Sequence, residues 1–171
     1  MQKTNIDKNG MIAITLPDGS KRGFEGSLSG ARIAADIGPS LAKAALAITV
    51  NGELWDLSRS IEQDAEIAIL TANGDKSVVY DLLRHDAAHI LAEAAKELWP
   101  DIQVTIGPAI EDGFYYDFAM EPIGESDLKP IEKKMHELAR RNLKVERVEL
   151  DEQDLRDHFT SNPYKIEIID D

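Results

Sequence analysis

Three observations predict an α+β fold in two units. Short apolar stretches alternating in period two, separated by turn residues, fill the first 70 positions. A long helical pattern then starts near Ser77 and carries two histidines one turn apart, His85 and His89. Between the two regimes, Thr71-Ala72-Asn73-Gly74-Asp75 interrupts both periods and reads as a linker. At 171 residues with 43% hydrophobic content, the chain suffices for one medium domain or two small ones with a real core.

The first unit is expected over residues 11–72, after a flexible leader at 1–10. Met11 to Leu16 alternates apolar and polar, Pro17-Asp18-Gly19-Ser20 supplies turn chemistry, and Lys21 to Glu25 returns as the second arm of a hairpin. Ser29 can cap a helix bearing Ile33, Ala34 and Ile37, which Gly38-Pro39 terminates. After a short Ala-rich segment come Ala47 to Val50, the turn Asn51-Gly52, Glu53 to Leu57 and Glu66 to Leu70, all read as strands. Strands, one helix and further strands within about 60 residues describe a β-grasp, the ubiquitin-like arrangement of a curved sheet against one helix. A module of this size suits binding or docking.

The second unit is expected over 77–171. Ser77 is read as the cap of the histidine helix, with an apolar stripe through Val79, Leu83, Ala87, Ile90, Leu91, Ala94 and Leu98 facing the core. His85 and His89 then project away from that stripe, beside Val78 and Leu82, as expected of a helix lining a cleft. Trp99-Pro100 ends the helix. Ile102 to Ile106 and Phe114 to Phe118 read as strands around a Gly-Pro…Asp-Gly turn, with Phe114, Tyr116 and Phe118 on one face. Ser126 is expected to cap a helix packed through Leu128, Ile131, Met135 and Leu138. Val145 to Leu150 reads as a strand, Asp151 as the cap of a short helix through Phe159, and Tyr164 to Ile169 as a last strand.

Charge and composition restrict function. The net charge of −13 is concentrated after residue 75, where 22 acidic side chains face 12 basic ones, against 10 and 7 before it. Nucleic-acid affinity comes largely from cations neutralising phosphates, so this chain alone should bind nucleic acid weakly. The basic residues Lys133, Lys134, Arg140, Arg141, Lys144 and Arg147 read as a solvated helix face. The absence of cysteine excludes disulfides, a thiolate nucleophile and zinc-thiolate ligation within these residues. No run approaches the ~18 apolar residues of a membrane span, and the polar start is not a signal peptide, so a cytoplasmic location is expected. Two imidazoles on one helical face suit either metal ligation or acid–base chemistry at one atom. Asp86 follows His85 where a zincin motif has Glu, and no third ligand stands at a recognisable spacing.

Leu16-Pro17-Asp18-Gly19-Ser20 and Ile48-Thr49-Val50-Asn51-Gly52, followed by His85-x-x-x-His89, Ile106-Gly107-Pro108 and Gly113-Phe114-Tyr115-Tyr116-Asp117, resemble the start of bacterial threonyl-tRNA synthetases over nearly the whole chain. The resemblance implies a TGS domain at 11–72 and the first part of an editing domain at 77–171, related to that of alanyl-tRNA synthetase. The family joins threonine to its tRNA with ATP, and its editing domain hydrolyses serine wrongly attached to that tRNA.

Residue by residue, the resemblance implies catalytic roles for His85, His89 and Lys165 and a substrate-binding role for Tyr116. Read from residue type alone, Tyr116 is equally a sheet-packing aromatic and Lys165 a solvated strand lysine. No metal is expected at these residues. The family completes its site with a downstream Asp-x-Cys-x-Gly-Pro-His segment, which these 171 residues do not include. The expectation is therefore an amino-terminal piece with a half-built site and little activity alone. The parent enzyme would supply ATP, magnesium and zinc sites in its catalytic core, act on tRNA(Thr) and form a homodimer. Three rival readings are a metallohydrolase, a TGS-bearing interaction module without catalysis, and a free-standing editing factor.

Overall fold

The structure is a computed structural model that describes residues 11–143 and 145–170; the expected leader at 1–10 lies outside the described residues. Contacts divide the chain into two units, up to Val79 and from Tyr80 onward, so the division falls inside a helix.

In the first unit, β1 (Met11–Thr15) and β2 (Lys21–Glu25) form the expected hairpin, in register from Met11↔Glu25 to Thr15↔Lys21. Gly19 takes φ +81 in the turn, where a β-carbon is disfavoured. After β3 (Leu28–Ser29), Ser29 caps α1 (Gly30–Ile37) by accepting from the Arg32 amide. Gly38 ends α1, and Pro39 opens a second short helix, α2 (Pro39–Ala44), in the Ala-rich segment where no element was expected.

Next come β4 (Ala45–Val50), β5 (Glu53–Trp55), β6 (Ser60–Ile61) and β7 (Ala65–Thr71). The β4–β5 turn is Asn51-Gly52, both at positive φ, as its sequence demands. Asn51 also accepts the Glu66 amide on its side-chain oxygen at 2.9 Å, tying the turn to β7. The expected strand to Leu57 stops at Trp55 because the chain turns away there: the Leu57 carbonyl accepts from the Ala31 amide of α1.

The sheet order is β2-β1-β7-β4-β5, with β1 and β7 parallel at its centre and the other neighbours antiparallel. Ile14, Ile33, Ile48 and Ile61 are fully buried between sheet and helix. That is the β-grasp anticipated from the alternation.

The second unit is built on α3 (Lys76–Leu98). Its expected cap is corrected: Ser77 lies within the first turn, and Asp75 accepts the Ser77 amide at 2.9 Å. Its expected core stripe is also revised. Val79 and Ala94 are buried, but Leu83 is 51% exposed, while Ala88, Ala92 and Ala95 are buried on a neighbouring side. Small alanines let packed elements approach that side closely.

Strands β8 (Gln103–Val104) and β11 (Phe118–Ala119) pair antiparallel, and β9 (Ala109–Ile110) and β10 (Gly113–Phe114) form a small hairpin between them. The two longer strands expected at 102–106 and 114–118 are thus replaced by four two-residue pieces. Helix α4 (Glu125–Arg141) starts at Gly124, whose amide donates to Asp127 at 2.8 Å, so Ser126 sits inside the first turn and is not the cap. Ile131 and Leu138 are its buried residues, whereas Leu128 is exposed.

Two strands expected near the end are not strands. Residues 145–150 carry no regular structure and pair with no strand among the described residues; a strand without a neighbour leaves its backbone groups to solvent. Asp151 caps α5 (Glu152–His158), accepting the Asp154 amide at 2.9 Å. Tyr164 to Ile169 lies in a helix, α6 (Pro163–Asp170). Its start explains the reversal: Asn162 accepts the Lys165 amide on its side-chain oxygen at 3.3 Å, and Pro163 takes the first helical position.

Candidate functional site

Helix α3 brings the two histidines together as the four-residue spacing requires. His85 Nε2 and His89 Nε2 are 3.0 Å apart, and the rings meet edge to face with centroids 4.6 Å apart. Both residues are exposed. With both rings neutral, the one that donates across this gap carries its proton on Nε2 and the one that accepts there carries its proton on Nδ1. The pair thus presents one ring nitrogen as an acceptor and one as a donor, the capability needed to order a water or a hydroxyl.

Tyr116 is set by the segment between β8 and β9. Thr105 donates to the Asp117 carbonyl from its amide at 3.1 Å and from its hydroxyl at 2.7 Å, and the Asp117 amide returns a bond to Ile106 at 2.9 Å. The Tyr116 ring stacks on Phe118 with centroids 5.0 Å apart and covers Gly107 closely: a β-carbon at Gly107 would fall 2.1 Å from Tyr116 Cδ2. Glycine is therefore required beneath the ring. Burial pushes the Tyr116 phenol above its ordinary pKa, so it is a hydroxyl donor at neutral pH.

Lys165 is on α6, not on a strand, and its ammonium donates to the Thr105 carbonyl at 2.6 Å. Thr105 links Tyr116 and Lys165: it bonds the neighbour of one and receives the other. Among the described residues, no hydrogen bond, ion pair or ring contact joins the histidine pair directly to Tyr116 or Lys165. Asn162, which holds Lys165, is not singled out by the sequence reading, although Asn162-Pro163 carries a signal, a cap followed by a first-turn proline. Gly107 stands in the Ile106-Gly107-Pro108 motif, but its place beneath Tyr116 is disclosed only by the fold.

The chemistry of the donors argues against a zinc site of ordinary structural type. Such sites use four ligands, usually including thiolates, but there is no cysteine and the described residues include no cluster of three or more His, Asp or Glu able to hold an ion.

Of the six basic residues expected on a solvated face, Lys134, Arg141 and Arg147 are paired with carboxylates, and Lys144 lies outside the described residues. Arg141 pairs with both Glu97 oxygens and with Glu137, and Lys134 bridges Glu97 and Glu137 at 3.2 and 3.1 Å. The Arg141 and Lys134 bonds hold the Glu97 carboxyl far down, at about 2. These groups fasten α4 to α3 and leave less positive charge for a polyanion.

Residues 12–71 match the model of the TGS domain. Threonine–tRNA ligases of Rhodospirillum rubrum, Granulibacter bethesdensis and Cupriavidus necator are 50%, 51% and 53% identical to the chain over 162, 164 and 162 residues. Each alignment covers 93–94% of this chain and 25% of the relative. The chain carries a TGS domain and matches the amino-terminal region of bacterial threonyl-tRNA synthetases. It spans about a quarter of the length of these relatives.

Proposed function

We propose that this chain is the amino-terminal part of a threonyl-tRNA synthetase, with residues 11–72 as its TGS domain and 77–171 as the first portion of a domain that hydrolyses seryl-tRNA(Thr). The observation that carries the reading is the His85–His89 pair, 3.0 Å apart on an exposed helical face, in a chain about half identical to threonine–tRNA ligases. Serine lacks one methyl of threonine, and a missing methyl is worth only about 1–3 kcal/mol to a selective pocket. A hydrolytic site that excludes threonine by size supplies the rest.

In this reading the histidine pair orders the attacking water or the terminal ribose hydroxyl. Lys165 donates to the developing oxyanion, and Tyr116 walls the seryl pocket with its neutral hydroxyl. The segment Asp-x-Cys-x-Gly-Pro-His implied by the resemblance is not among these 171 residues, so this sequence alone should hydrolyse the ester slowly. ATP, magnesium and zinc belong to the ligase chemistry of the whole enzyme, which acts in the cytoplasm on tRNA(Thr), as a homodimer. Among the described residues no helix is long and apolar enough to cross a membrane.

The test is His85→Ala in the full-length polypeptide. Loss of a positioned acid–base group should slow seryl-tRNA hydrolysis by roughly 10²-fold or more, with threonine activation and transfer nearly unchanged. Unaltered hydrolysis would remove His85 from the mechanism. Stoichiometric zinc retained at His85 and His89 after chelation would replace this reading with metal-assisted hydrolysis.

A further inference from the structure

Asn162 occupies the turn between α5 and α6, half buried, and its side chain bonds in two directions. Its Nδ2 donates to the Val104 carbonyl at 2.9 Å, and its Oδ1 accepts the Lys165 amide at 3.3 Å. Its backbone is fixed as well: the amide donates to the Phe159 carbonyl at 2.8 Å, and the carbonyl accepts from Lys165 and Ile166 at 3.1 and 3.2 Å. One residue along from Val104, the Thr105 carbonyl receives the Lys165 ammonium at 2.6 Å.

We infer that Asn162 is a positioning residue for Lys165, acting by pinning the first turn of α6 to the end of β8. This inference rests on the reading of Lys165 as a group of the hydrolytic site. A lysine ammonium has three hydrogens on a stem with four rotatable bonds, and a stem free to rotate gives poor aim. Here Asn162 fixes the backbone origin of the stem against Val104, and the adjacent Thr105 carbonyl fixes its tip. One hydrogen goes to Thr105; two remain for an oxygen that gains negative charge.

Capping α6 requires only the Asn162 oxygen. The donation from Nδ2 to Val104 adds nothing to a cap, and it is the part that sets the distance between Lys165 and Thr105. The two roles are therefore separable. Asn162→Asp keeps the capping acceptor but turns a carboxylate oxygen toward the Val104 carbonyl, where two acceptors repel. Asn162→Ala removes both.

The first readout is the Lys165 ammonium in the isotope-labelled 171-residue chain. The unaltered chain should show a protected, slowly exchanging Lys165 Nζ–H signal, and Asn162→Asp should lose it with α6 still helical by backbone chemical shifts. The second readout is seryl-tRNA hydrolysis by the full-length polypeptide, where Asn162→Asp should lower kcat at least tenfold with KM within about twofold. A protected Lys165 signal and an unchanged kcat in Asn162→Asp would overturn the proposal. So would a kcat loss in Asn162→Ala that vanishes in Asn162→Asp, because capping alone would then explain it. Normal hydrolysis by Lys165→Ala would refute the catalytic reading of that lysine, and the ammonium signal would still decide whether Asn162 positions it.

Discussion

Single atoms decide the local geometry around Tyr116. Gly107 lies under the ring so closely that any β-carbon would have to displace it, while a β-carbon at Gly113 would meet nothing within 4 Å. Gly107→Ala should therefore destabilise the protein by about 1–3 kcal/mol, the usual cost of forced overpacking, and should break the Tyr116–Phe118 stack. Gly113→Ala should leave unfolding nearly unchanged. Denaturant unfolding with aromatic NMR contacts checks both, and equal effects in the two variants would contradict the argument. At this scale the sequence was partly legible. His85 and His89 were readable because helical spacing alone brings them together. The Lys165 contact to Thr105 spans 60 positions, and only the folded chain discloses it.

Between elements, charge and backbone pairing settle what local pattern left open. Glu97 of α3 grips Arg141 and Lys134 of α4, and its pKa falls from 4.5 to about 2. A depressed carboxylate stabilises the fold fully above its unfolded value near 4.5, and the contribution disappears as pH falls through about 2. Glu97→Gln should thus lower the melting temperature at neutral pH and flatten the acid loss between those values, with less effect in high salt because the pair faces solvent. An acid-unfolding profile identical to that of the unaltered chain would show that the clamp contributes nothing. The alternation at 145–150 and at 164–169 does not give strands, for two different reasons: among the described residues the first stretch has no strand beside it, and the second is overruled by the Asn162 cap and Pro163. Amide exchange should separate such stretches from true strands. Amides of 145–150 should exchange near the free-peptide rate, while those of β4 are protected; protection in 145–150 would mean that the segment pairs.

Across the whole chain, legibility follows the range of the contacts. The first unit was readable because its hairpins close through neighbouring turns, Pro17-Asp18-Gly19-Ser20 and Asn51-Gly52, and its alternation needs no distant partner to be recognised. The second was readable mainly in α3, α4 and α5, since its strands are two residues long, β8 and β11 pair across about 15 positions, and α6 carries the alternation of a strand. The same contrast predicts how the units depend on one another. Every member of the first unit's buried cluster, from Ile12 to Ile67, comes from that unit itself, as do the side chains packed against it, Leu16, Phe24, Trp55, Leu57 and Ile69. Residues 1–79 expressed alone should therefore fold cooperatively with the amide spectrum of the first unit preserved. Within that piece, Ile48→Ala should cost about 2–5 kcal/mol, because a fully buried isoleucine leaves a cavity that sheet and helix cannot close. A disordered spectrum for residues 1–79, or an Ile48→Ala penalty under about 1 kcal/mol, would show that the sheet draws its stability from outside this core.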